Sequence, residues 1–171
     1  MGRLKKTGYY KNVYFNNIVA NAVDELTNLG QEMANKAIQE GSRGYNNVLY
    51  NLYDSIGSAV YHNGKLIKSS IRFADTRKKS KGEAREGYTG REAIREFFKV
   101  NQTITTKNSL HLMIVAAMPY AEYLEKGTFT SGDKKRQIRV ISQITSELES
   151  RMHKYGRFNP KLIQVAGGNI L

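Results

Sequence analysis

The chain has 171 residues, 27 basic against 15 acidic, for a net charge of +12, and it has no cysteine. The length suits one domain able to bury a core without covalent staples, and the missing cysteine excludes disulfides, thiolate zinc sites and a cysteine nucleophile. The charge has two readings, a polyanionic partner with nucleic acid first, or a lysine-rich composition with no functional weight; eleven tyrosines against no tryptophan point to protein–protein contacts.

Residues 1–11, with Arg3, Lys5, Lys6 and Lys11, read as a flexible basic arm. No apolar segment follows that would make a secretory signal, and Lys6 stands where a myristoylation motif at Gly2 needs Ser or Thr. The longest apolar run, residues 112–118, is too short to cross a bilayer, so no membrane partner is expected. A long helix is predicted over residues 12–39. Phe15, Ile18, Val19, Ala22, Val23, Leu26, Leu29, Met33 and Ala37 recur at helical spacing, with Asp24, Glu25, Glu32 and Lys36 opposite. Gly41 and Gly44 end it.

Residues 48–55 read as a short helical turn or an extended entry to a strand. Asn63-Gly64 then signals a two-residue type I′ hairpin, because both residues tolerate positive φ. A regular register pairs His62 with Lys65, Val60 with Ile67, Ser58 with Ser69 and Ile56 with Ile71, and Phe73 extends the apolar stripe. Residues 74–90 have no apolar period and read as a long loop. Thr89 and Glu92 spell a capping box, so a helix is expected from Gly90 to about Val100, with Ala93, Ile94, Phe97 and Phe98 on its inner face.

Residues 109–128 are the stretch around which the chain is expected to organise. Leu110, Leu112, Ile114 and Ala116 share one face of a strand, and His111, Met113, Val115 and Ala117 share the other. With both faces largely apolar, the strand is expected inside a sheet covered on each side. Pro119 suits the first position of a short helix. Tyr120, Tyr123 and Leu124 lie on its inner face, Glu122 and Glu125 toward water, and Gly127 stops it. A last helix is predicted over residues 134–154, where Ile138, Ile141, Ile144, Leu148 and Met152 form a stripe that suits a core face or an interface seam. Lys134, Lys135, Arg136 and Arg139 crowd its start, against the helix dipole, so this cluster reads as serving a partner.

The predicted fold class is α+β: a long N-terminal helix, a β-hairpin plus a further strand in a small, mostly antiparallel sheet, and a long C-terminal helix. The expected organisation is a basic arm (1–11), a single domain (12–155) and an extended C-terminal arm (156–171).

No constellation for catalysis, cofactor or metal binding emerges. His62, His111 and His153 lack metal-ligand spacing, and Glu122 with Glu125 has no third ligand beside it. Gly82, Gly87 and Gly90 lack the Gly-Lys-Ser/Thr ending of a phosphate loop, and no serine sits in a nucleophile elbow. The expectation is therefore no enzyme, no catalytic residue, no cofactor and no metal. Two basic clusters are candidate contacts for DNA or another partner. One is Arg77, Lys78, Lys79, Lys81 and Arg85; the other is Lys134, Lys135, Arg136 and Arg139. Only Tyr88 and Phe129 lie near them, which favours backbone contacts over base stacking.

Two short motifs carry a resemblance. Tyr120-Ala121-Glu122-Tyr123-Leu124-Glu125-Lys126-Gly127-Thr128 follows an apolar strand, and Asn51-Leu52-Tyr53-Asp54-Ser55-Ile56 enters the first strand of the hairpin. In this order, between a long leading helix and a closing helix, they resemble the tail-completion or neck (head–tail connector) proteins of tailed double-stranded DNA bacteriophages. The chain departs from that family's pattern at residues 129–133, which hold no proline. The resemblance implies a non-enzymatic structural protein of the virion, assembled in the host cytoplasm. It would form a homo-oligomeric ring by head-to-tail contacts, join portal or connector to tail proteins, and let DNA pass through its lumen. It also implies a subunit contact at Tyr120, Glu122, Tyr123, Glu125, Gly127 and Thr128. The alternatives are a basic nucleic-acid-binding accessory protein acting as monomer or dimer, and a hydrolase or nuclease with divergent active-site residues.

Overall fold

Helix α1 (Arg3–Gly41) crosses a three-stranded antiparallel sheet. The computed structural model describes residues 3–41, 51–71, 89–105, 109–118, 121–126, 130–131, 134–135 and 141–153. After α1 come α2 (Asn51–Asp54), β1 (Ile56–His62), β2 (Lys65–Ile71), α3 (Gly90–Val100), β3 (Leu110–Ala116) and α4 (Ala121–Lys126). A two-residue pair β4 (Thr130–Ser131) and β5 (Lys134–Lys135), a 3-10 turn (Ser142–Ile144) and α5 (Thr145–His153) complete the order. The class is α+β, with the sheet ordered β2-β1-β3.

The apolar rhythm of α1 does what its spacing predicts over the second half, where Val23, Leu26, Leu29, Met33 and Ala37 are buried. The stripe is weaker earlier: Ile18, counted in the same row, is 49 % exposed, while Val19 still packs against the core. Its start also differs, at Arg3 rather than residue 12. No proline interrupts the intervening residues, and Gly8 alone costs a helix only about 1 kcal/mol.

Asn63 (φ 52°) and Gly64 (φ 79°) make the expected type I′ turn. His62 pairs with Lys65, as the regular register requires. A bulge then intervenes, and Val60 faces Lys68, Ala59 faces Ser69, Ser58 faces Ser70 and Gly57 faces Ile71. The expected partners of Val60, Ser58 and Ile56 are therefore wrong by one residue. The reason lies in what holds each end of β2. Leu66 N–H donates to the Gln102 carbonyl (2.9 Å) and Ile104 N–H to that of Gly64 (2.8 Å), so the tip is held from outside. Farther along, Lys68 reaches Asp24 of α1, with Nζ 3.0 Å from Oδ1. Ile67 absorbs the mismatch and is 52 % exposed instead of joining an apolar face.

The central strand is β1, not the apolar stretch at residues 109–117. From Ile56 to Tyr61 every residue of β1 is buried. β3 pairs only with β1 among the described residues, from Ile56↔Ala116 to His62↔Leu110. Its residues Met113–Ala116 are nevertheless buried on both faces, since layers above and below a sheet cover a strand whether or not its outer edge is paired. One layer is α1, whose Gly30 packs against Ser58 and Leu112; the other is α3, whose Ile94 packs against Gly57. The capping box of α3 forms as predicted. Glu92 N–H donates to Thr89 Oγ1 (3.3 Å), and Thr89 N–H donates to Glu92 Oε2 (2.8 Å). Ala93, Ile94, Phe97 and Phe98 are buried.

The long C-terminal helix is not what forms. Lys134 and Lys135 lie in β5, paired with β4, and among the described residues the helix proper spans Thr145–His153 after the 3-10 turn. Ile141, Ile144, Leu148 and Met152 are buried, so the predicted stripe is a core face even though its first part is a turn. Ile138, Phe73, residues 74–88 of the expected loop and the expected arm over 156–171 lie outside the described residues.

Candidate functional site

The first motif of the resemblance meets the end of β3, the strand that leads toward the second motif, at one end of the sheet. Ile56 is paired with Ala116, and one step beyond, Ala117 N–H donates to the Ser55 carbonyl (3.0 Å). Each side of this junction is built locally. α2 is a single turn closed by Ser55, whose N–H (3.1 Å) and Oγ (2.6 Å) both donate to the Leu52 carbonyl. On the other side, Ala121 N–H donates to the Met118 carbonyl (2.9 Å) and opens α4. Leu52 and Tyr53 of the first motif, Ala117 and Met118 after β3, and Ala121 of the second motif are buried.

Charged groups tie the junction to its neighbours. Asp54, with a side chain 8 % exposed, accepts from Arg91 Nε of α3 at 3.0 Å. A carboxylate this deep is expensive to bury without such a partner. Glu125, expected toward water, is instead half-buried, and its carboxylate accepts two backbone N–H groups. Ile141 donates to Oε2 (2.8 Å) and Ser142 to Oε1 (3.0 Å), so Glu125 caps the 3-10 turn and fastens the C-terminal segment to α4. Glu122, one turn earlier in α4, is also half-buried. Tyr123 lies within α4 between them. Tyr120, Gly127 and Thr128 lie outside the described residues, so the structure brings together only part of the proposed subunit contact.

The basic candidates fare similarly. Lys134 and Lys135 sit together on β5, while Arg77, Lys78, Lys79, Lys81, Arg85, Arg136 and Arg139 lie outside the described residues. His62 ends β1 at the hairpin and His111 faces Tyr61 across β1 and β3. His111 Nε2 is 2.5 Å from Ser109 Oγ, and burial pushes the imidazole pKa below its usual range. Burial likewise pushes the Tyr61 phenol up, and its hydroxyl donates to the Asn101 carbonyl (2.8 Å). Among the described residues no group of three or more His, Cys, Asp and Glu is gathered that could hold a metal, and no helix is long and apolar enough to cross a membrane.

One charged cluster escaped the sequence reading. Lys36 of α1 pairs with Glu147 of α5, and Arg151 of α5 bridges Glu147 (3.0 Å) and Glu32 of α1 (2.7 Å). A signal was present. Glu32 and Lys36, like Glu147 and Arg151, are spaced i, i+4 with opposite charges, so each helix carries a pair the other can complement. The Lys36 ammonium holds the Glu147 carboxyl below its ordinary range, and Glu32 raises the Arg151 guanidinium.

No family model matches this chain, and neither a curated protein nor a solved structure matches it at a significant level.

Proposed function

We propose that this chain is a structural subunit of a phage neck, a tail-completion protein that forms a ring between portal or connector and tail and encloses the DNA path. The observation that supports this reading most is that the first motif joins the strand leading toward the second. Residues 51–56 and the end of β3 are some sixty positions apart in the chain, yet Ile56 pairs with Ala116 and Ala117 N–H bonds the Ser55 carbonyl. The chain enters the second motif only a few residues beyond this junction. The long leading helix that the resemblance expects is present as α1. In this reading the protein acts without catalysis, as part of the virion, and a heterologous contact closes into a ring when its rotation permits.

Light scattering on size-separated protein, alone and with portal or tail partners, tests the proposal. A closed oligomer supports it; a chain that stays monomeric in both conditions overturns it. A second reading, a basic nucleic-acid-binding accessory protein, draws support from the net charge of +12. It predicts salt-sensitive DNA binding by a monomer that Lys78, Lys79 and Lys81 carry.

A further inference from the structure

The outer side of β3 combines burial with unpaired backbone. Asn63 N–H donates to the Ser109 carbonyl and Ala117 N–H to that of Ser55, so residues 109 and 117 aim their backbone groups at β1. The register between these two points is unbroken. Directions alternate along an antiparallel ladder, so Leu110, Leu112, Ile114 and Ala116 aim their N–H and C=O groups away from β1. None of these groups has a partner among the described residues. Leu110 and Leu112 are half-buried, yet Ile114 and Ala116 are each only 2 % exposed. Backbone groups that deep are nearly always hydrogen-bonded.

What lies over this edge decides what fits beside it. Asp24 of α1 meets Lys68 of β2, and farther along α1 Gly30 packs against Ser58 of β1 and Leu112 of β3. The helix therefore runs across the strands from β2 toward β3. From Gly30 to its end at Gly41 it advances about 16 Å more at 1.5 Å per residue, about three strand spacings. α5 is fastened beside this overhang, Glu147 to Lys36 and Arg151 to Glu32. A second copy joined antiparallel through the same edge would bring its own α1 overhang to the same face, and the two would collide. A single extended strand meets no such obstacle.

We propose that the outer side of β3 is a strand-binding slot, and that the chain's own residues 161–166 fill it as a fourth strand. α5 ends at His153 and the sequence runs on to Leu171. Arg151, just before that end, is held by Glu32, two residues from the glycine that packs on Leu112. The chain thus leaves α5 near the half-open part of β3. Residues 154–160 extend to about 23 Å at 3.3 Å each, enough to bring the next segment alongside. That segment, Lys161-Leu162-Ile163-Gln164-Val165-Ala166, carries two β-branched residues between Pro160 and Gly167-Gly168, the content and punctuation of a strand. Its length matches the seven residues of β3. The inference holds whether or not the subunits close into a ring.

The test is residue-resolved amide hydrogen exchange on the full chain and on its I163P/Q164P variant, with circular dichroism to check the fold. Neighbouring strand residues aim their N–H groups to opposite sides, so the two prolines remove one donor from each side of the segment and break the pairing whichever side faces β3. The expected result is exchange at Leu112 and Ile114 faster by about tenfold or more in the variant. Met113 and Val115, bonded to β1, should change only as far as global stability falls. Unchanged exchange at Leu112 and Ile114, or an equal rise at all four amides, would overturn the proposal. So would protection that fades when the parent chain is diluted, which would assign the added strand to another copy. Should the double variant lose its fold, I163P and Q164P are read singly against the same outcomes.

Discussion

Gly30 shows how one hydrogen atom can set the distance between two layers. A Cβ added there would lie 2.8 Å from Ser58 Oγ, 2.9 Å from Ser58 Cβ and 2.8 Å from Leu112 Cδ1. Leu112 can swing aside, but Ser58 is fixed in the fully buried central strand. Helix propensity alone would make Gly30→Ala stabilising by about 1 kcal/mol. Overpacking of about 1–3 kcal/mol opposes it, and the short contacts to β1 decide the sign. Gly30→Ala should lower the denaturant midpoint, and Gly30→Val should lower it more. Glu125 sets the second residue-scale expectation. Glu125→Ala removes a charged acceptor from two backbone N–H groups, each such bond contributing about 1.5–3 kcal/mol. Amide exchange at Ile141 and Ser142 should accelerate, while exchange at β1 amides changes only as far as global stability falls.

At the scale of elements, the contact between α1 and α5 depends on charge as well as on Leu148 and Met152. Glu147 titrates below its ordinary value of 4.5 because Lys36 donates to it. For a carboxyl depressed on folding, the unfolded chain takes up protons first as pH falls. The pairing therefore contributes fully above about pH 4.5 and is lost as pH drops through the folded value. Stability measured from pH 6 to about pH 3 should fall less steeply in Glu147→Gln than in the parent chain, and the difference should shrink in high salt because solvent reaches the half-buried pair. The elements also divide cleanly into those the sequence announces and those it conceals. The capping box of α3 and the Asn63-Gly64 turn are local codes, readable because each is complete within four residues. The bulge at Ile67 and the tie from Glu125 to Ile141 depend on partners far along the chain, which no local pattern records. The same holds for residues 134–154. Their apolar spacing is helical, yet Lys134 and Lys135 enter a strand pair, so pairing with β4 overrides the local rhythm.

For the whole molecule, the candidate site is legible only in outline. Ser55 of the first motif and the apolar strand ending near Ala117 could be picked from the sequence, but their contact arises from the pairing of β1 with β3, a relation between segments. Burial on both faces of β3 suggested the middle of a sheet; helices on both sides produce the same signature at an edge. The assembled neck would add a second level of contacts, and a closed ring seen by light scattering would place the α4 corner, with Glu122 half-buried at its start, among the surfaces to map first.

The bulge in β2 has a consequence for such an assembly. Beyond the segment held by Gln102 and Ile104, the outer side of β2 is open among the described residues. Copies of one chain crowded side by side could in principle fuse through exposed strands, as aggregating sheets do. Here the strand is only seven residues long, bears Lys65 and Lys68, and is kinked at Ile67. A kinked, charged border is a poor template for another strand. The irregularity that displaced the hairpin register thus makes the outer side of β2 a poor site for strand pairing between copies of the chain.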